Sequence, residues 1–166
     1  LADAGMGFPF CAPPVFDIQE CSDNPYNDWI GAQIRADLYG WVSPGEPTEA
    51  ASLARTDAAL SHRGEGVHGA VVIAVTASLV GAGWDPVRAC EEAASYIPSD
   101  SASARAVSLG LSCGKDTDAS QLHTEYEGMS PVHTVNNLAL VTWGLTRNPD
   151  DFGAAIGDTV SAGWDT

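Results

Sequence analysis

Four short stretches bring together groups that can do chemistry. The first is Arg55-Thr56-Asp57-Ala58-Ala59-Leu60-Ser61-His62, followed by Gly64, Gly66 and Gly69. An imidazole at the end of an amphipathic helix can hydrogen-bond a ligand through either ring nitrogen, and glycines behind it let backbone approach that ligand closely. The ordinary alternative is a histidine on the last helical carbonyls, followed by glycine caps. The second stretch is Gly163-Trp164-Asp165-Thr166, where a carboxylate beside a hydroxyl offers hard oxygen ligands for Mg2+ or Mn2+. A lone carboxylate also fits an ordinary chain terminus. The third is Asp116-Thr117-Asp118, a pair of carboxylates that could hold a cation. Acids are also favoured where a helix starts, and capping is the preferred role. The fourth is Pro131-Val132-His133-Thr134-Val135-Asn136-Asn137, polar groups leading into an apolar helix. Thr134 is a candidate cap there. Asn136 and Asn137 are expected to bridge to another loop, with ligand contact as the alternative. Asp150-Asp151 reads as a helix start, and His68 and His123 stand without sequence partners.

Other chemistries find no support. No G-x-S-x-G, Walker-type loop or H-E-x-x-H occurs, so serine hydrolase, nucleoside triphosphatase and zinc protease readings have no basis. Cys11, Cys21, Cys90 and Cys113 form no C-x-x-C pair, which argues against a zinc knuckle. Cys90 and Cys113 fall on helical patterns as small core residues. Cys11 and Cys21 are expected to be reduced thiols, with pairing possible in an oxidising compartment. Seven Lys plus Arg against 22 Asp plus Glu leave a net charge of −15. Such a surface repels nucleic acid and anionic membranes, so neither is an expected partner. A phosphate-bearing ligand would need metal ions, helix N-termini or backbone amides to offset its charge.

The elements that must position these groups are helical. The chain has 166 residues, of which 45% are hydrophobic and 17% charged, enough for one domain with a real core. Residues 1–26 are rich in proline and glycine and read as an irregular segment lying on the domain. Residues 27–166 read as the helical domain. Asn27 is a plausible N-cap, with Ile30, Ile34 and Leu38 on one face of the first helix. A second helix runs from about Thr48 to Leu60, after the turn Ser43-Pro44-Gly45-Glu46-Pro47. The stretch from about Val67 to Val80 is apolar nearly all round and should be central. The apolar run from Val67 to Gly83 is shorter than the ~20 residues of a membrane span and is read as a buried helix. Asp85-Pro86 caps a helix to about Ile97, and Ser99 to Ser101 can cap another through Leu111. Shorter or later helices follow over Asp118 to Tyr126, Thr134 to Leu145, and Asn148 to about Ser161. Roughly eight helices with no convincing strand predict an all-α fold, a compact orthogonal multi-helix array.

Read in order, these residues resemble the ADP-ribosylglycohydrolase family. The resemblance is carried by the run Ile30 to Trp41, by Pro44-Gly45, by Asp57 to His62 with Gly69-Ala70, by Val132 to Ala139, and by Ala162 to Thr166. It implies an all-α fold. It also implies metal-assisted hydrolysis of an N- or O-glycosidic bond between ADP-ribose and a protein side chain or small molecule. Two divalent cations, Mg2+ or Mn2+, are implied as cofactors, which could orient ribose hydroxyls and activate water. Position by position, Gly163, Asp165 and Thr166 match the start of the family's G-x-D-T-D motif. Asp165 resembles its first metal-ligating aspartate and Thr166 the threonine beside it, so these two are the candidate metal residues. His62 resembles a histidine that contacts ADP-ribose. His133 and Thr134 lie in a segment that resembles a loop beside the ligand, and are candidate substrate-binding residues.

The sequence departs from the family in three respects: the G-x-D-T-D match stops at Thr166, before the second aspartate and the ligating threonine, the family's glycine-rich substrate loop is not recognisable, and one whole metal motif is missing. No Thr-Asp-Asp run occurs, and that run is the family's other metal motif and supplies its candidate for handling the catalytic water. The chain therefore reads as a portion of the enzyme cut at both ends, and by itself is expected to be inactive or nearly so. The partners implied are an ADP-ribosylated protein or small molecule, and the default compartment is the cytoplasm. Two alternatives remain: a non-catalytic helical domain that retains the fold for binding or structure, and an ordinary glycosidase using two carboxylates.

Overall fold

The computed structural model describes residues 25–114 and 118–166. Among them lie eight α-helices: α1 (Asp37–Trp41), α2 (Pro47–Ala58), α3 (Gly64–Gly81), α4 (Pro86–Ala93), α5 (Ala102–Ser112), α6 (Ser120–Glu125), α7 (Thr134–Arg147) and α8 (Phe152–Ala162). Two 3-10 segments, Ile30–Arg35 and Ala94–Tyr96, join them. The described residues contain no β-strand, and the all-α expectation holds. A single antiparallel bridge between Trp29 and His133 is the one extended pairing among them.

Helix α3 is the hub. Its mean composition is apolar on every side, and Val71, Val72, Ala74, Val75 and Leu79 are buried. By length and composition it could cross a membrane, but 56% of it is buried inside this chain, as befits a core helix. It packs against α1, α2, α4 and the Ile30–Arg35 segment. The α2 face that meets it is made of Ala50, Ala51, Ala54 and Ala58, all buried, so the two backbones lie close. Gly40 of α1 permits a similar approach, because a Cβ there would collide with the Ala74 carbonyl and the Ala77 side chain. A second cluster joins α5 to α7 through Ala106, Ala139, Leu140 and Trp143. There Gly110 leaves no room for a Cβ, which would sit 2.6 Å from the Ala139 oxygen. Buried Cys90 and Cys113 are free thiols within this framework. Cys11 and Cys21 lie outside the described residues.

Local signals set most helix starts. Asp85 accepts from the Arg88 N–H at 2.9 Å, Ser101 from Ala104 at 3.1 Å, and Asp151 from Ala154 at 2.9 Å. No side chain takes the cap position of α6 itself; Asp118 accepts from the Ser120 N–H at 3.0 Å, one residue ahead of the N-cap Ala119. Its companions Asp116 and Thr117 lie outside the described residues.

Four expectations fail. The first predicted helix is instead a 3-10 segment followed by the short α1. Ile34 and Leu38 are 65% and 51% exposed, while Ile30, Ala32, Gln33 and Ala36 turn inward. With three residues per turn, positions i and i+4 no longer share a face. Asn27 caps nothing there; its carbonyl accepts from the Arg63 N–H at 3.3 Å. The second helix also ends at Ala58, two residues early, and leaves Leu60 64% exposed. At α7, His133 rather than Thr134 is the cap, its Nδ1 accepting from the Val135 N–H at 3.2 Å.

Candidate functional site

One end of the molecule gathers segments far apart in sequence. The Ile30 N–H donates to the Val132 oxygen and the Thr134 N–H to the Asp28 oxygen, both at 2.8 Å. These bonds clamp the 26–30 turn against the start of α7. Asp28 also reaches the start of α3, where its carboxylate accepts from the Glu65 N–H at 2.9 Å. Gly66 is required at this junction, because a Cβ there would collide with the Asn27 carbonyl.

Between these segments opens a cleft of about 330 Å³. Tyr26, Trp29, Ile30, Gly31, Ile34, Ser61, His62, Val132 and Asp165 line it. His62 and Asp165, 103 positions apart in sequence, thus share one cavity. Tyr26 and Trp29 form an exposed aromatic pair at its edge, their ring centroids 4.1 Å apart.

His62 is held from behind. It is 8% exposed, and its Nδ1 lies 2.8 Å from the Ser61 hydroxyl. The same hydroxyl accepts from Arg35 Nη2 at 3.1 Å. Arg35 further donates to the Gly31 oxygen at 2.9 Å and to Asp57 Oδ2 at 2.6 Å. The Tyr39 phenol has its pKa raised, by burial first and then by the same Asp57 carboxylate. Burial holds the His62 imidazole below its usual pKa, and the Arg35 guanidinium pushes it the same way against Asp57 and Asp28. The helix-cap alternative for His62 does not apply, because Arg63 takes the carbonyls of Ala59 and His62, at 2.6 and 2.5 Å.

Asp165 is held differently. Gly163 has φ 101°, and Trp164 is the sole non-glycine residue of positive φ among those described, at 57°. That conformation costs about 1 kcal/mol or more for a bulky side chain and needs compensation. The Trp164 ring supplies it by packing on His123, 4.4 Å between centroids, and edge-on to Tyr126. His123 Nε2 in turn bonds the Ala162 oxygen at 2.9 Å. The turn brings the Asp165 N–H within 3.0 Å of Asn137 Oδ1. Asn137 is fully buried, and its Nδ2 donates to the oxygens of Pro131 and His133 at 2.8 and 2.7 Å. It is the bridge between loops expected of it. The Asp165 residue itself is exposed.

The other candidate residues stand beside the cleft without lining it. His133 caps α7, and the fully buried Thr134 donates its hydroxyl to the Trp29 oxygen at 3.2 Å. Thr166 turns away. Its hydroxyl lies 3.1 Å from the Thr159 oxygen and 3.0 Å from that of Gly163, in a separate apolar groove between α7 and α8. Arg35, Ser61 and Trp164 were not assigned roles from sequence. Each acts through partners distant in the chain or through backbone geometry, and no local spacing signals that.

Among the described residues no three His, Cys, Asp or Glu side chains group to hold a metal. A hard divalent cation takes about six oxygen ligands. Asp165 is the one acidic residue among those lining the cleft, so the described residues do not by themselves compose a Mg2+ or Mn2+ centre.

No curated protein and no solved structure gives a significant match to the chain. The ADP-ribosylglycohydrolase family profile matches residues 5–166. That span begins well upstream of Asn27, where the readable motifs start, and covers the cleft and every residue lining it. The chain therefore belongs to the ADP-ribosylglycohydrolase family.

Proposed function

We propose that the protein hydrolyses an N- or O-glycosidic bond between ADP-ribose and a protein side chain or small molecule, with Mg2+ or Mn2+ as the supporting cation. The observation that carries this reading is the meeting of His62 and Asp165 in one cleft of a family member. A buried, neutral imidazole beside an aromatic pair suits an uncharged hydrogen-bonding contact to a nucleotide or ribose oxygen. The aromatic pair of Tyr26 and Trp29 offers a stacking surface for a base. Asp165 would contribute one oxygen to a cation, and no catalytic step is assigned to it. The experiment is an assay of ADP-ribose release from an ADP-ribosylated protein and an ADP-ribosylated small molecule, with and without Mg2+ or Mn2+. Turnover that chelation abolishes supports the reading.

One observation favours a second reading, binding without hydrolysis: the cleft holds a single carboxylate among the described residues. Calorimetric binding of ADP-ribose with no release of product from either substrate would select that reading over the first.

A further inference from the structure

His62 has two ring nitrogens, and the surrounding bonds decide which one carries the proton. Arg35 can only donate, so the 3.1 Å bond to Ser61 uses the serine oxygen as acceptor. A cationic donor on Oγ polarises the hydroxyl, strengthening it as a donor and weakening it as an acceptor for a further N–H. The 2.8 Å contact between Ser61 Oγ and His62 Nδ1 is then O–H···N, with Nδ1 unprotonated. In that arrangement the ring proton is on Nε2. That edge lies over Gly31, where a Cβ would come within 3.2 Å of Nε2. Arg35 holds the Gly31 carbonyl at the same time, so one side chain sets both the ring and the backbone against which the ring rests. Asp57, bonded to Arg35 at 2.6 Å, keeps the guanidinium in place.

We propose that Arg35 and Ser61 are positioning residues that hold neutral His62 in the Nε2–H tautomer and present that N–H to the cleft as a hydrogen-bond donor. A donor at this point selects an acceptor oxygen of the ligand. On the proposed function, which this inference rests on for the ligand alone, that is an oxygen of ADP-ribose.

The test is nitrogen NMR of the full chain with labelled histidine, at about pH 8 so that an ordinary imidazole is neutral. The His62 signals are identified by their loss in His62→Gln. The expected result is a protonated Nε2 and a bare Nδ1 in the unliganded protein. Ser61→Ala should move the ring toward the other tautomer, Ser61→Thr should restore the original one, and Arg35→Lys should fall between. If Ser61→Ala loses its native circular dichroism, Ser61→Thr and Arg35→Lys decide the matter. A protonated Nδ1 in the parent protein would overturn the proposal. So would an unchanged tautomer in a folded Ser61→Ala. Titration with ADP-ribose should perturb Nε2 selectively, and Ser61→Ala should bind it about tenfold more weakly, the worth of one hydrogen bond. Failure of ADP-ribose to bind at all would count against the proposed function and leave the tautomer result standing.

Discussion

The two walls of the cleft are built on opposite plans. On one wall, His62 is fixed through its side chain: Asp57, Arg35 and Ser61 form a chain of bonds that ends on the imidazole. On the other, Asp165 is fixed through its backbone, by the Asn137 carboxamide and the wedged Trp164 ring, and its residue stays exposed. On the proposed function, a ring that donates one hydrogen bond to a ligand gains from having its orientation fixed in advance. On the proposed function, a carboxylate offered to a cation needs its backbone placed and its oxygens left available. The contrast therefore separates an imidazole fixed by a chain of side-chain bonds from an acidic residue placed by its backbone.

Substitutions can break either wall. The largest effect is expected at Gly66, because an alanine Cβ would strike the Asn27 carbonyl and also lie 3.1 Å from the His62 ring. Gly66→Ala should cost about 3 kcal/mol in urea denaturation, the upper range for overpacking. Asn137→Ala removes partners from the Pro131 and His133 oxygens and from the Asp165 N–H. It should cost about 2 kcal/mol and free the C-terminal turn, seen as faster amide exchange at Asp165. Gly31→Ala shifts only the His62 ring, by a few tenths of an ångström. It should cost less than about 1 kcal/mol in stability yet weaken ADP-ribose binding.

The pH dependence sharpens the same comparison. The folded His62 ring binds a proton less readily than the unfolded one, with burial the main cause. Acid therefore favours the unfolded chain through this group. Its contribution is fully present above about pH 6.5 and is lost as pH falls through the lowered folded value. His62→Gln should flatten that part of the stability profile. Glu65 acts in a lower window. Burial opposes its ionisation, but hydrogen bonds from Ser103 and Ala102 outweigh that and hold its pKa below 4.5. Its contribution is lost only as pH falls below that value. The smallest effect on folding is expected at Asp165. Asp165→Asn should change stability by no more than about 0.5 kcal/mol, since the backbone makes its one bond to Asn137. Any effect should instead appear in the Mg2+ or Mn2+ dependence of ADP-ribose release.

The sequence by itself determined what acts over a few residues. Asp85, Ser101 and Asp151 cap their helices because each meets an amide three positions on. The continuous apolar composition of α3 announced a central helix, and the ordered motifs pointed to the family. What the tertiary structure alone decided begins where contacts cross the chain. The Ile30–Arg35 segment winds as a 3-10 turn, its first amide bonded to Val132 a hundred residues away. His133 takes the cap that Thr134 offered, while the Thr134 hydroxyl turns to Trp29. Thr166 and Asp165 are neighbours in sequence but face different grooves, because Gly163 and Trp164 turn the chain between α8 and the cleft. Local spacing cannot encode these outcomes. Each is a competition among partners that meet only after the helices have packed.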